Sequence, residues 1–599
     1  MKYLQTIGLV LFVLALGIFT LMLGLDQYRL SSDTLAIDND YHREAFLEAA
    51  RAADALDKTY GSSFAFSGQF KSLLQDAQAS LNERAEAGIP EGLGEWDYKL
   101  GDWKFTEYTL ATIRQSAEGP VTSQPLLFLL LTIGLGSIGG LLYILPVFLK
   151  IPGIKNDRIF HSSLQRGLDL NWRTFFLGAT ILGILIYGFF YINNFFWPSV
   201  TAAIMGLIIW LVFSYENSRE RTPARSAGPG YGLNTAWLGV IAGTYLILFY
   251  VLLYWAPEHI TPWMRMSDPL SRALNGGEAS QWFVYGLLYT VIVLVMGVKM
   301  IAKYRHNRYQ IIRTISVMFF QTAIAFLLPE ILVRLNQPYF DFKNIWPLNY
   351  TFFFDWNINN LINSGALGIF MFVWGVLLII VAVPVFTYFY GKRWYCSWVC
   401  GCGGLAETMG DPYRHLSDKS LRAWKFERWI IHGVLVFAVV MTIAVLYTYF
   451  TGSQQILFMS SDTVRGWYGF MIGSAFAGVV GTGFYPLMGN RMWCRFGCPL
   501  AAYLGLVQRF KSRFRITTNG GQCISCGNCS TYCEMGIDVR HYAQRGQDVV
   551  RASCVGCGVC AAVCPRGVLR LENSDLDVDT RTEALRTIRI SGGEVRIEM

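Results

Sequence analysis

Apolar residues in this chain gather into runs long enough to cross a bilayer, separated by short polar stretches. A bilayer core of about 30 Å needs roughly 20 residues of helix. Ten stretches meet or approach that length: residues 4–25, 125–149, 174–196, 199–215, 235–255, 282–302, 312–333, 366–390, 429–450 and 468–488. The fourth is the shortest, and its link to the third, "NNFFWPS", is tight, so this pair reads as a hairpin that spans poorly. Lys2 precedes the first run, but the run is long and no small-x-small cleavage site precedes Asp26. It is read as an anchor helix, with a signal peptide as the alternative. A different pattern fills the gap between the first two runs. "REAFLEAARAADALDKTYG" sets Phe46, Ala49, Ala50, Ala53 and Leu56 on one helical face, and a second helix is expected over "QFKSLLQDAQASLNERAEAG", ended by Gly88 and Pro90. At the far end "TIRISGGEVRIEM" alternates apolar and polar residues around "SGG", the pattern of a hairpin.

Charge orients the runs. "KIPGIKNDRIFHSSLQRGLDLNWR", "ENSRERTPARS" and "KMIAKYRHNRYQIIR" are basic and alternate with poor loops such as "TGSQQILFMSSDTVRGW". Basic loops stay cytoplasmic, which places both termini inside and residues 26–124 outside. That outer segment carries 17 Asp+Glu against 9 Lys+Arg. The net charge of +8 therefore reflects topology, and no nucleic-acid partner is expected. Composition agrees with membrane lipid as the surroundings: 53% hydrophobic, 15% charged, mean hydropathy +0.34.

All thirteen cysteines lie after residue 395, and none falls in the outer segment where a secreted disulfide framework would sit. They point to metal in a reducing compartment. "CISCGNCSTYCEMG" starts at Cys523, and the pattern returns as "CVGCGVCAAVCPRG". C-x2-C-x2-C wraps three thiolates around a 4Fe–4S cubane, and in two-cluster ferredoxins the fourth cysteine of each run crosses to the other cluster. One cluster then takes Cys523, Cys526, Cys529 and Cys564, the other Cys533, Cys554, Cys557 and Cys560. Gly527, Gly556 and Gly558 suit the close backbone approach such turns need. The alternative is a pair of structural zinc sites; the C-x2-C-x2-C-x3-C spacing and Pro565 favour clusters, with Glu534 standing where the first run would normally have proline.

Five cysteines remain. "RWYCSWVCGCGG" follows the eighth run and "RMWCRFGCPLAA" the tenth. Cys396/Cys400 and Cys494/Cys498 are spaced i,i+4, which on a helix puts both thiols on one face. Both pairs fall at the cytoplasmic membrane edge, where four thiolates suit a third iron–sulfur cluster or a soft metal such as copper. Redox-active or merely packed thiol pairs are the other readings, and Cys402 has no assignment. Of seven histidines only His432 lies in a run, so bis-histidine haem is not expected. A quinone site would sit near His432 and Arg428.

Several spans, two Cx3C pairs and a C-terminal two-cluster ferredoxin together resemble the membrane polyferredoxin family. It includes NosR-type proteins of nitrous oxide respiration, NapH-type quinol oxidants of periplasmic nitrate reduction and the copper-reducing polyferredoxins of cytochrome oxidase assembly. The resemblance covers roughly residues 366–570 and rests on Cys396, Cys400, Cys494, Cys498-Pro499 and the eight ferredoxin cysteines. Membership implies electron transfer across or along the membrane. Two features depart from the pattern: Cys400-Gly401 replaces the usual Cys-Pro, and residues 26–124 lack the "SGAT"-like FMN motif of NosR-type proteins, so FMN is not expected. The spans from residue 125 to 333 fall outside the resemblance.

The expected fold is an all-α polytopic membrane protein of about ten transmembrane helices, with an anchor at 1–25, a small helical extracytoplasmic domain at 26–124, and spans two to seven within 125–365. Spans eight to ten with the Cx3C motifs occupy 366–509, a cytoplasmic α+β two-cluster ferredoxin domain 510–572, and a tail 573–599. The expected function is electron transfer in the inner membrane between a cytoplasmic donor or acceptor and quinone or an outer partner, as an oxidoreductase subunit, within a larger membrane complex if there is one. A copper-reducing or cofactor-maturation protein and a redox sensor are the alternatives.

Overall fold

The computed structural model describes residues 2–89, 94, 98–101, 103–150, 234–452, 455–456, 459–573, 588–591 and 594–597. The expected spans 174–196 and 199–215 lie outside them. Among the described residues six helices are long and apolar enough to cross a membrane: Tyr3–Gly24, Pro125–Pro146, Gln281–Lys303, Arg308–Arg334, Gly365–Tyr390 and Leu421–Thr451. The fifth expected run is the helix Asn234–Trp255. The tenth is helical from Ser461 to Gly483 through a widened π stretch at Gly469–Val480, breaks at Phe484 and resumes for one turn at Tyr485–Met488. The chain forms two compact units, residues 1–146 with 162–291, and residues 147–161 with 292–599.

In the first unit, Tyr3–Gly24 and Pro125–Pro146 cross at glycines. A Cβ on Gly139 would stand 2.6 Å from Phe12 N and 2.8 Å from Gly8 O, and one on Gly8 would meet Gly139 O at 2.8 Å. Lipid tails are as apolar as leucine, so close backbone packing between small residues is what holds such helices together. The segment between these spans starts its first helix, Asp40–Ala52, at Asn39, whose Oδ1 accepts from Tyr41 N (2.9 Å) and His42 N (3.2 Å). That helix ends at Ala52, so Ala53 and Leu56 lie beyond it rather than on its face; His42, Ala45, Phe46 and Ala50 are its buried residues. Helix Ser63–Ala87 stops at Gly88, and a third helix, Trp103–Ser116, completes the packing around Phe46, Phe66, Phe70 and Leu73.

The expectation of a purely helical segment needs correction. Gln27–Arg29 pairs antiparallel with both Thr59–Tyr60 and Ala117–Glu118, which makes a three-stranded sheet. It sets Gln27 opposite Glu118 and so brings the two ends of the insertion together. Buried Asp26 fastens the join by accepting from Val121 N (3.0 Å) and Thr122 Oγ1 (2.9 Å). The loop after Asn234–Trp255 packs on the same segment. Lys71 pairs with Glu258 at 2.7 Å, Arg114 pairs with Asp268, and Trp263 Nε1 donates to Phe19 O at 2.7 Å. Residues 26–124 and this loop therefore share one end of the unit.

In the second unit the long helices likewise have two distinct ends. At one, Arg465 meets Asp355 (3.1 Å) and Tyr449 meets Asn359 (3.2 Å). At the other lie the segments that carry all thirteen cysteines. Strands Phe514–Thr518 and Leu569–Asn573 pair antiparallel, from Phe514↔Asn573 to Thr518↔Leu569, and close a small domain of short helices. Near the C-terminus Ile588–Ser591 and Glu594–Ile597 also pair antiparallel, with Ser591 opposite Glu594.

Candidate metal centres

Two hollows lie inside the domain closed by those strands. Cys523, Cys526, Cys529 and Cys564 line the first, and Cys533, Cys554, Cys557 and Cys560 the second. The fourth cysteine of each run thus sits with the other run's triplet. The local reason is a repeated turn. Gly527 (φ 83°) and Gly558 (φ 73°) adopt left-handed backbone, at little steric cost without a Cβ, and each starts a single helical turn, Asn528–Thr531 and Val559–Ala562. The third cysteine of each run lies on that turn and the first two on the loop before it. Backbone amides point at sulfur as well, Ile537 N reaching Cys533 Sγ at 3.4 Å.

The two hollows differ in surroundings. Cys526 of the first is exposed, whereas the second is ringed by bonds from the helical part of the same unit. Tyr309 donates to Gly556 O (2.9 Å), Gln310 Nε2 to Cys557 O (2.8 Å), Ser397 Oγ to Val555 O (2.8 Å) and Gln508 Nε2 to Cys554 O (2.9 Å). Each such bond is worth about 1 kcal/mol net, and together they fix the domain with its second hollow inward.

The Cx3C thiols Cys396, Cys400, Cys494 and Cys498 are all buried in one cluster. They do not share a helix face. Cys396 ends the short helix Arg393–Cys396, and Cys400 is the extended residue that starts helix Gly401–Thr408. Cys494 lies in the widened turn Trp493–Gly497, and Cys498 starts helix Pro499–Lys511, its Sγ accepting from Ala501 N at 3.4 Å. The i,i+4 spacing is therefore a turn into a helix start. Proline at the first helical position explains why the helix cannot run through Cys498. Burial pushes the Cys396 thiol up to about 12, partly offset by Lys392, and raises Cys494, with Arg491 opposing. Cys402 lies at hydrogen-bond range of Cys400 and, against burial, holds it down to about 6.

A buried charge network joins the Cx3C site to the second hollow. Glu407 pairs with Arg313 and Arg491; Glu534 pairs with Arg491 (2.9 Å) and Arg414 (2.7 Å). Asp411 receives Arg414 (2.9 Å), Lys299 (2.8 Å) and Lys303 (2.7 Å). Arg491 Nη1 also donates to Cys494 Sγ (3.6 Å) and Cys396 O (3.3 Å). Burial alone would raise the Glu534 carboxyl, but Arg414, Arg491 and Arg313 hold it down at about 2. The sequence singles out Glu534, in the proline position, but gives no sign of the network it joins; Lys299 and Arg313 inside apolar runs were the further signals. Arg491 is buried. Arg393 is turned away from the thiols, its guanidinium 4.6 Å from the Phe514 ring.

Two observations test which metal group fits. In a zinc site with Zn–S near 2.3 Å, thiolates stand about 3.8 Å apart. Among the described residues the group of ligand atoms within 4.8 Å of one another is Glu407, Glu534 and Cys557, and no three thiols come that close. Those two carboxylates are already ion-paired with guanidinium groups. Thiols spread more widely than a single ion permits suit a cubane. The network, secondly, sets four buried cations, Lys299, Arg313, Arg414 and Arg491, and the half-buried Lys303 against the three carboxylates Glu407, Asp411 and Glu534. A buried surplus of positive charge is costly unless anions adjoin it. Thiolates on either side, if they ligate metal, would supply that charge.

His432 takes part in none of this. Its Nδ1 lies 2.6 Å from Arg428 O one turn back, an ordinary backbone contact.

Ferredoxin-type turns that hold paired sets of four thiols define a 4Fe–4S protein, and comparison with known proteins agrees. Residues 522–569 match the 4Fe-4S dicluster domain family, and residues 372–423 with 468–517 match a 4Fe-4S binding domain family. The second match brackets all five of the other cysteines. The chain is similar to YccM, a candidate electron transport protein of Escherichia coli: 27% identical over 155 residues, 25% of this chain and 43% of that one. It is also similar to the methylamine utilization ferredoxin-type protein MauN of Methylobacillus flagellatus, 28% identical over 167 residues, 26% of this chain and 52% of that one. The chain spans about half the length of the curated relatives it matches. No solved structure matches. These likenesses support the membrane polyferredoxin type suggested by the residue pattern, and two 4Fe–4S clusters with it.

Proposed function

We propose that this protein is a membrane electron-transfer protein with three cysteine-ligated stations in one line. Cys523, Cys526, Cys529 and Cys564 hold the first cluster, Cys533, Cys554, Cys557 and Cys560 the second, and Cys396, Cys400, Cys494 and Cys498 a third. Such clusters supply reversible one-electron chemistry. Two contacts support this order: the first set faces solvent at Cys526, while Ser397 and Arg491 tie the second to the Cx3C segments. The observation that carries this reading is the network of Arg491, Glu407 and Glu534, which links the two inner sites through side chains alone.

Electrons then pass between a cytoplasmic partner and quinone, or a partner docked on residues 26–124. In this reading both termini and all cysteines are cytoplasmic in an inner membrane of about ten spans. The grouping of 26–124 with the loop after Trp255 at one end of the first unit supports the sidedness. Reporters fused after Met599 and near Lys303 are expected to read cytoplasmic and one near Gly88 extracytoplasmic. A reversal of any of the three overturns the topology. A copper site at the Cx3C thiols fits less well, since a single soft ion draws its thiolates together. Potentiometry of the anaerobically purified protein tests the function: reversible one-electron reduction supports it, and clusters that cannot be reduced at physiological potentials point to a structural or sensing role.

A further inference from the structure

We propose that the solvent-facing end of the ferredoxin-type domain, centred on Cys526, is the docking face for an acidic, soluble one-electron carrier protein. This rests on the electron-transfer reading above and adds the chemistry of the cytoplasmic partner. Arg540 and Arg566 line the first hollow together with Cys526, and both are exposed. Gln544 donates to Ser525 Oγ at 2.5 Å, which holds helix Val539–Gln544 and the exposed Arg545 after it against the cysteine loop. Arg570 is exposed on the strand that follows Arg566. At the centre sit Ile524, 52% exposed, and exposed Pro565.

Among the described residues acidic side chains are withdrawn from this face. Among the described residues from 519 to 573 no Asp or Glu is in the exposed class. Glu534 is buried, Asp538 accepts from Ser530 Oγ (2.6 Å), Asp548 accepts from Thr518 N (3.2 Å), and Glu572 stands opposite Arg515 in the strand pair. A small apolar centre ringed by one sign of charge suits a transient encounter, in which complementary charge sets the on-rate more than the affinity. Anionic lipid is the other candidate with this chemistry, but the lipid-facing pattern is elsewhere in the unit. There Trp429 (80% exposed) and Phe426 (60%) mingle with exposed Arg422, Lys425 and Arg428. Among the described residues no exposed Phe, Tyr or Trp accompanies the arginines around Cys526. Each encounter moves one electron: the carrier is oxidised by one and the cysteine-ligated station reduced by one, or the reverse, and no bond is made or broken.

The test uses the full chain with intact clusters in nanodiscs of phosphatidylcholine. Stopped-flow absorbance follows its reduction by a pre-reduced acidic plant-type ferredoxin, with methyl viologen radical as a small cationic reductant. The rate with the ferredoxin is expected to fall about tenfold between about 20 and about 500 mM salt. The pair R545E/R570E, beside the hollow and not in its lining, is expected to lower the low-salt rate about tenfold again, with iron content unchanged and viologen reduction not slowed. A ferredoxin rate indifferent to salt and to the pair overturns the docking proposal. So does a defect that appears only in phosphatidylglycerol discs, which assigns the face to lipid. Failure of both reductants counts against the electron-transfer reading itself, whereas reduction by viologen alone counts against docking only.

Discussion

Arg491→Met removes a guanidinium that is fully buried, pairs with Glu407 and Glu534, and donates to Cys494 Sγ at 3.6 Å. Reduction adds negative charge beside it, so its loss must lower the midpoint potential of the Cx3C site. A full charge at that distance is worth about 4.6 kcal/mol at an effective dielectric of about 20. The added electron spreads over the whole cluster and the two carboxylates screen the arginine, which leaves about 1–2.5 kcal/mol. That corresponds to a fall of about 40–100 mV, at 59 mV per tenfold for one electron. Breaking the buried pairs also costs about 3–5 kcal/mol of stability, so Arg491→Lys, which keeps the charge, serves as the control and is expected to shift the potential by less than half as much. EPR-monitored redox titration of the full chain is the assay, with the Cx3C signal defined by its loss in Cys494→Ser. An Arg491→Met protein with full iron content and an unmoved or raised potential refutes the assignment of Arg491 to this site.

Two further outcomes follow from the first unit. Gly139→Leu forces a side chain into Phe12 N and Gly8 O and is expected to cost about 1–3 kcal/mol, read as earlier thermal aggregation in detergent, with Gly17→Leu, which meets nothing within 4 Å, as the neutral control. Burial pushes His259 down from 6.5 to about 4, only partly offset by Glu258. The unfolded chain therefore binds the proton first, and stability is present above pH 6.5 and lost as the pH falls toward 4, by about 2–3 kcal/mol. Denaturation of the full chain across that range, compared with His259→Phe, checks the slope; parallel curves contradict it.

The parts of this protein that repeat a pattern are legible in its sequence. Long apolar runs matched the six described helices able to cross a membrane, and Gly527 and Gly558, recurring within two C-x2-C-x2-C triplets, announced a doubled turn. What the sequence hid depends on tertiary contact. Strands of two or three residues such as Thr59–Tyr60 carry no periodic signal and exist because Gln27–Arg29 lies between two partners. The Cx3C spacing fits a helix face as well as a turn, and only Pro499 after Cys498 hinted at the turn. The charge network was invisible for a different reason. Glu407, Asp411, Arg414 and Arg491 stand on short helices and turns between the apolar runs, where charged residues are usually solvated, yet all four are buried.

Iron counting tests the central claim most directly. Eight ferredoxin cysteines bind about eight irons and a cubane at the Cx3C thiols adds about four. Anaerobically purified full-length protein is therefore expected to carry about twelve irons, and Cys494→Ser about eight with the ferredoxin signals intact. Equal iron in the two proteins contradicts the third site, and zinc in place of iron contradicts the account as a whole.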